Sequence, residues 1–164
     1  MTEDRPPKSA DEAKELALLR LSVREYSAAE MRQYLKRKCV PGEVAESTVA
    51  DLLAEKLIDD RRYARVIARH QSFRDKGPMY VVSKLRSKGV RIDLKEVRAM
   101  VEDVSQRDET EAVRAVIQRR YSNLSSSDSP KEIRRVFQAL LRRGFSSDAV
   151  RKCITEITKA NPED

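Results

Sequence analysis

Apolar residues recur at intervals of three and four along most of this 164-residue chain, the period of an amphipathic helix, and no segment alternates as a strand would. Leu16, Leu19, Val23 and Tyr26 form one stripe, Met31, Tyr34 and Leu35 a second, and Val49, Leu52 and Leu53 a third. Tyr63, Val66, Ile67 and His70 continue the pattern, then Val82 and Leu85, then Val97, Met100, Val101 and Val104. Val113, Val116 and Ile117 follow, then Ile133, Val136, Phe137, Leu140 and Leu141, and last Val150, Ile154 and Ile157. Nine helices are predicted. Their starts carry cap signals, in which a Ser or Asp precedes a Glu by three positions: Ser27 with Glu30, Asp93 with Glu96, Asp108 with Glu111, and Ser129 with Glu132. Asp59 or Asp60 can cap a helix starting near Arg61, and Gly77-Pro78 separates two helices. Gly89 and Gly144 suit left-handed helix ends.

The nine helices group in threes. Leu35 to Val40, Leu85 to Val90 and Leu140 to Phe145 share one pattern: Leu, polar or basic residues, a cap site, then an apolar residue. Spacings near fifty residues suit structural repeats. The expected fold is all-α, three tandem three-helix repeats stacked into an elongated curved array, over residues 11–58, 59–105 and 106–160. Residues 1–10 and 161–164 read as disordered tails, and Leu124 to Ser129 as a mobile loop.

Charge sharpens this picture. The net charge is +7, but residues 61–91 alone hold ten basic side chains against one acid, Asp75, and residues 131–152 hold seven against two. The first sixty residues are net acidic. Arg61, Arg65 and Arg69 repeat at a spacing where like charges repel, as do Lys84 and Lys88, so an anionic partner is expected. The central segment comprises Arg61, Arg62, Arg65, Arg69, Arg74, Lys76, Lys84, Arg86, Lys88 and Arg91, and Arg134, Arg135, Arg142 and Arg143 extend it. Such residues support salt-dependent contact with the phosphate backbone.

Catalytic and metal chemistry find little footing. His70 is the single histidine, and its helical spacing with Tyr63 and Ile67 reads as structural. Cys39 and Cys153 form no motif and read as buried free thiols. No Gly-rich nucleotide loop is present. The Asp59-Asp60 pair reads as a helix cap rather than a metal or acid/base couple. Tyr63 reads as core, while Phe73 and Tyr80 flank the basic segment without defining a base-stacking platform. No apolar run is long enough for a membrane helix, and the start of the chain lacks a signal core, so a cytoplasmic location is expected.

Leu57-Ile58-Asp59-Asp60-Arg61-Arg62-Tyr63-Ala64 resembles the signature of the RecX regulatory family, in which an apolar residue and two Asp precede a basic, aromatic and Ala stretch. Val82 to Val90 resembles that family's Leu-x-x-Lys-Gly-apolar segment, carried here by Leu85, Lys88, Gly89 and Val90. The resemblance covers about Ala28 to Val104 and weakens in the third unit. Cys39 stands where the later units have Gly, and Lys84 where the family often carries an acid. The resemblance implies a modulator of the bacterial recombinase RecA. It would be a three-repeat protein lying along the groove of the RecA–DNA filament, inhibiting ATP hydrolysis and strand exchange and obstructing filament growth. It implies no cofactor and no catalytic residue. The expected partners are then the RecA filament and single- and double-stranded DNA, with the basic residues above as contacts and a monomer as the expected state. A helix-turn-helix transcriptional regulator is the second reading, and a metal-dependent nucleic-acid enzyme the third.

Overall fold

Ser9 opens the first helix by accepting a hydrogen bond from the Glu12 amide, while the Glu12 carboxylate accepts one from the Ser9 amide. This reciprocal box satisfies two of the amide donors that every helix leaves orphaned. The computed structural model describes residues 9–125 and 128–159. Among these are nine helices and no strand: α1 (Ala10–Leu21), α2 (Ala28–Arg37), α3 (Gly42–Ala54), α4 (Asp60–Ser72), α5 (Pro78–Ser87), α6 (Leu94–Ser105), α7 (Glu109–Arg120), α8 (Pro130–Arg142) and α9 (Ser147–Lys159). They form tandem three-helix repeats. Ser27, Asp93, Asp108 and Ser129 each accept from the amide three residues on, as their spacing predicted. Of the tail expected over 1–10, Ser9 and Ala10 instead belong to the capped helix α1. The rest of that tail, the 161–164 tail and the centre of the Leu124–Ser129 loop lie outside the described residues.

The chain falls into two compact units. The first runs to Val66 and includes Leu85–Arg91; the second comprises Ile67–Lys84 and continues from Ile92. In the first unit, α1 and α2 both pack on α3 around Met31, Leu35, Val49, Leu52 and Ile58. In the second, α7 and α8 pack on α9 around Val113, Val116, Leu140, Val150 and Phe145. A fully buried Leu or Val of this kind contributes roughly 1.5–3 kcal/mol.

Two stripes differ from the sequence expectation. On α1 the buried residues are Ala13 and Ala17, whereas Leu19, and Val23 just beyond the helix, are 70% and 73% exposed. On α4, Ala64 and Ala68 lie buried beside Tyr63, while Val66 and His70 face solvent. The physical reason is the same in both cases. Alanine has no side chain beyond Cβ, so a face of alanines lets helix backbones approach closely, and the larger apolar residues rotate outward. His70 is therefore no core residue; its Nδ1 lies 3.3 Å from Gln71 Nε2.

The three repeated Leu segments share one turn. Val40, Val90 and Phe145 each donate their amide to the carbonyl five residues back, Leu35, Leu85 and Leu140, at 3.1, 3.0 and 3.4 Å. The preceding residue is left-handed in each case: Cys39 at φ 58°, Gly89 at 73° and Gly144 at 89°. This is the Schellman arrangement, with its apolar pair closing the helix end. Lys56 and Asp75 repeat it at the ends of α3 and α4 without glycine. The left-handed turn also carries the Cys39 side chain into solvent, so the expectation of two buried thiols holds only for Cys153. Burial pushes the Cys153 thiol up in pKa, and its Sγ donates to the Thr110 carbonyl at 3.1 Å.

Candidate nucleic-acid interface

The adjacent acids Asp59 and Asp60 do different work. Asp59 Oδ1 accepts from the amides of Arg61 and Arg62 at 2.8 and 3.0 Å, capping α4. These amides, with Arg62 first, hold its carboxyl below the ordinary Asp value. Asp60 Oδ1 instead accepts from the Ala28 amide at 2.9 Å, serving the start of α2 thirty-two residues earlier. At the same place the Ser27 hydroxyl donates to the Lys88 carbonyl at 2.8 Å. A Cβ added to Gly89 would lie 2.3 Å from that of Ala29. The motif residues therefore build a junction: the N-terminus of α2 sits against the C-terminal turn of α5. Tyr63, Ala64 and Leu85, from the same two motifs, are buried.

The second unit contains the same junction one repeat later. Gly77 and Met79, at the N-terminus of α5, donate their amides to the carbonyls of Arg143 and Gly144 at 2.8 and 3.0 Å. A Cβ on Gly144 would lie 2.3 Å from the Tyr80 nitrogen. The turn after α2, in the first repeat, has no earlier repeat to receive among the described residues. This explains why Cys39 is tolerated where Gly89 and Gly144 are required.

Arg62, Lys88 and Arg143, among the predicted contact residues, also hold the fold together. Arg62 binds Glu25 through Nε at 2.7 Å and also reaches the carbonyls of Lys56 and Leu57. Lys88 and Arg24 both bind Glu30, at 3.0 and 3.1 Å. Arg143 donates to the Asp75 carbonyl at 3.3 Å. Asp75, the lone acid of the basic segment, is buried and held by Arg119 and by Arg120 Nε at 2.8 Å. Arg119 and Arg120 were absent from the predicted set; their only signal was a basic pair in the last turn of α7.

The other predicted cations lie at or near the surface. Arg61, Arg65, Arg86 and Arg91 are exposed in the first unit. Arg69, Arg74, Arg134, Arg135 and Arg142 are exposed in the second. Lys84 is half-buried, and so is Lys76, whose Nζ sits 4.4 Å from the centre of the Tyr80 ring. Phe73 is 76% exposed.

Glu30 sits where these groups meet. Burial pushes its carboxyl up, but the Arg24 guanidinium and Lys88 ammonium outweigh it and hold the value below the ordinary Glu range. Burial, with Glu30 nearby, pushes the Tyr63 phenol up to about 12. A depressed carboxyl contributes stability above its unfolded value and loses it as pH falls through its folded one. Glu30→Gln is therefore expected to cost about 1–2 kcal/mol at neutral pH, limited by solvent screening of its half-exposed partners. In urea unfolding the gap to the parent should close as pH falls below the carboxylate range.

Fold and surface together define a class: a tandem helical-repeat protein that presents exposed cations on each unit. Among the described residues no group of three or more His, Cys, Asp or Glu could hold a metal, and no helix is long and apolar enough to cross a membrane. Comparison with known proteins gives the particular family. The model of the first RecX three-helix domain matches residues 13–52, and that of the third matches residues 107–154. Regulatory protein RecX of Trichlorobacter lovleyi is 32% identical over 140 residues, covering 84% of this chain and 90% of that one. Its namesake in Halorhodospira halophila is 30% identical over 143 residues, covering 87% and 86%. The crystal structure of RecX from Lactobacillus salivarius superposes with a TM-score of 0.71 over 96% of this chain and 98% of that one, at 23% identity, and so matches in fold. The chain belongs to the RecX family of regulatory proteins.

Proposed function

We propose that this protein binds the RecA recombinase filament and its DNA, and restrains ATP hydrolysis, strand exchange and filament extension. The observation that supports this most is the run of exposed Arg61, Arg65 and Arg69 along α4. Three like charges at that spacing repel one another in the isolated protein, and an anionic surface relieves the repulsion. Arg74, Arg86, Arg91, Arg134, Arg135 and Arg142 are the further proposed contacts, with Lys76 and Lys84 beside them. Arg62, Lys88 and Arg143 contribute by holding the junctions. Phosphate contacts of this kind are insensitive to base sequence, which separates the proposal from an operator-reading transcriptional regulator. The test is steady-state ATP hydrolysis by a cognate recombinase on single-stranded DNA. Hydrolysis should fall as this protein is titrated to stoichiometric amounts. Unchanged hydrolysis there would reject the proposal.

A further inference from the structure

The second unit holds a half-open cleft of about 300 Å³ whose apolar floor the phosphate-contact reading does not use, although Arg69 and Lys76 line its rim. Its floor is apolar, made of Val101, Val104, Ala112, Ala115, Val116 and Phe145, with exposed Phe73 at its lip. The volume lies at the lower end of the roughly 300–1,000 Å³ typical of small-molecule sites. It suits one or two apolar side chains better than a cofactor.

The rim is charged, and three of its four acids, Asp75, Asp108 and Glu109, are already engaged. Asp75 is held by Arg119 and Arg120. Asp108 accepts from the Glu111 amide to cap α7. Glu109 Oε1 accepts from the Ser146 amide at 2.7 Å, and its other oxygen faces Arg98 at 3.6 Å. Glu102 remains as the opposing acid. On the basic side, Arg69 and Arg107 line the cleft, are exposed, and form no ion pair among the described residues. Lys76 adds a third cation above Tyr80. The cations available to a ligand thus outnumber the acids, around an apolar floor. Duplex DNA could use the rim but would leave the floor empty, since its bases stay paired and stacked inside the helix. The geometry points to a protein partner: the cleft receives an apolar anchor side chain from an acidic peptide segment, whose carboxylates pair with Arg69 and Arg107.

The probe is a labelled ten-residue peptide with one central Phe flanked by Glu and Asp, followed by fluorescence anisotropy and by amide NMR shifts. Saturable binding with shifts clustered at the cleft is expected. Replacing the central Phe by Ser should weaken it at least about tenfold, as loss of a buried aromatic anchor does. Ala115→Trp, which fills the cleft, should abolish binding. Because that variant could also perturb the fold, the surface pair Arg69→Glu with Arg107→Glu provides a second test and should weaken binding at least about tenfold. The proposal is overturned if the peptide fails to bind at millimolar concentration. It is equally overturned if the Ser peptide binds as well as the Phe peptide, or if a single-stranded oligonucleotide, and not the peptide, shifts the residues of the floor. None of these outcomes depends on recombinase, so failure here leaves the filament proposal standing.

Discussion

Gly144→Ala is expected to destabilise the protein by about 3 kcal/mol, while Cys39→Gly, at the equivalent turn, changes stability by less than about 1 kcal/mol. Two terms add at Gly144. Its φ of 89° disfavours any Cβ, by roughly 1–2 kcal/mol. The new Cβ would also meet the Tyr80 backbone nitrogen at 2.3 Å, and backbone cannot rotate aside. Overpacking of this kind costs roughly 1–3 kcal/mol. At Cys39 the exposed turn gives glycine a conformational gain that its greater unfolded-state entropy offsets. Thermal unfolding should show a fall in Tm of about 6–12 °C for Gly144→Ala. Equal, small effects at both positions would refute the junction as the reason for the glycine.

The second large effect concerns the exposed arginines of α4. Reversing Arg61, Arg65 and Arg69 to Glu together is expected to flatten the salt dependence of duplex DNA binding. Each phosphate contact contributes about 0.9 to the slope of log affinity against log salt, so three contribute about 2.7. Across a fourfold rise in salt, the parent should lose roughly 40-fold more affinity than the variant. Circular dichroism checks that helix content is kept. An unchanged slope with intact helices would remove these positions from the phosphate contacts.

What the sequence made legible is local. Caps at Ser27, Asp93, Asp108 and Ser129 need only the residue three positions on, and the left-handed turns at Gly89 and Gly144 announce themselves by glycine. The three-repeat pattern follows from these turns. What stayed hidden depends on partners far along the chain. Ala13, Ala17, Ala64 and Ala68 are fully buried, while the larger apolar residues that mark the visible stripe, Leu19 and Val66, face solvent. The left-handed Cys39, Lys56 and Asp75 lack the glycine that would mark them. Arg62, Lys88 and Arg143 look identical in sequence to the exposed cations around them. Only the folded positions of Glu25, Glu30 and Asp75 show that these three also hold the fold together. Asp60 is the sharpest case: of the two candidate caps for α4, Asp59 takes that role, and Asp60 accepts from the Ala28 amide at the start of α2.

The most direct measurement is retention of this protein on assembled recombinase–DNA filament compared with the same DNA naked, at one fixed salt concentration near the physiological value. The filament offers both a protein face and DNA phosphates, so retention on it should exceed retention on naked DNA by at least about tenfold, and the triple Glu variant should lose most of both. Equal retention on the two substrates would contradict filament recognition and leave a general DNA-binding protein in its place.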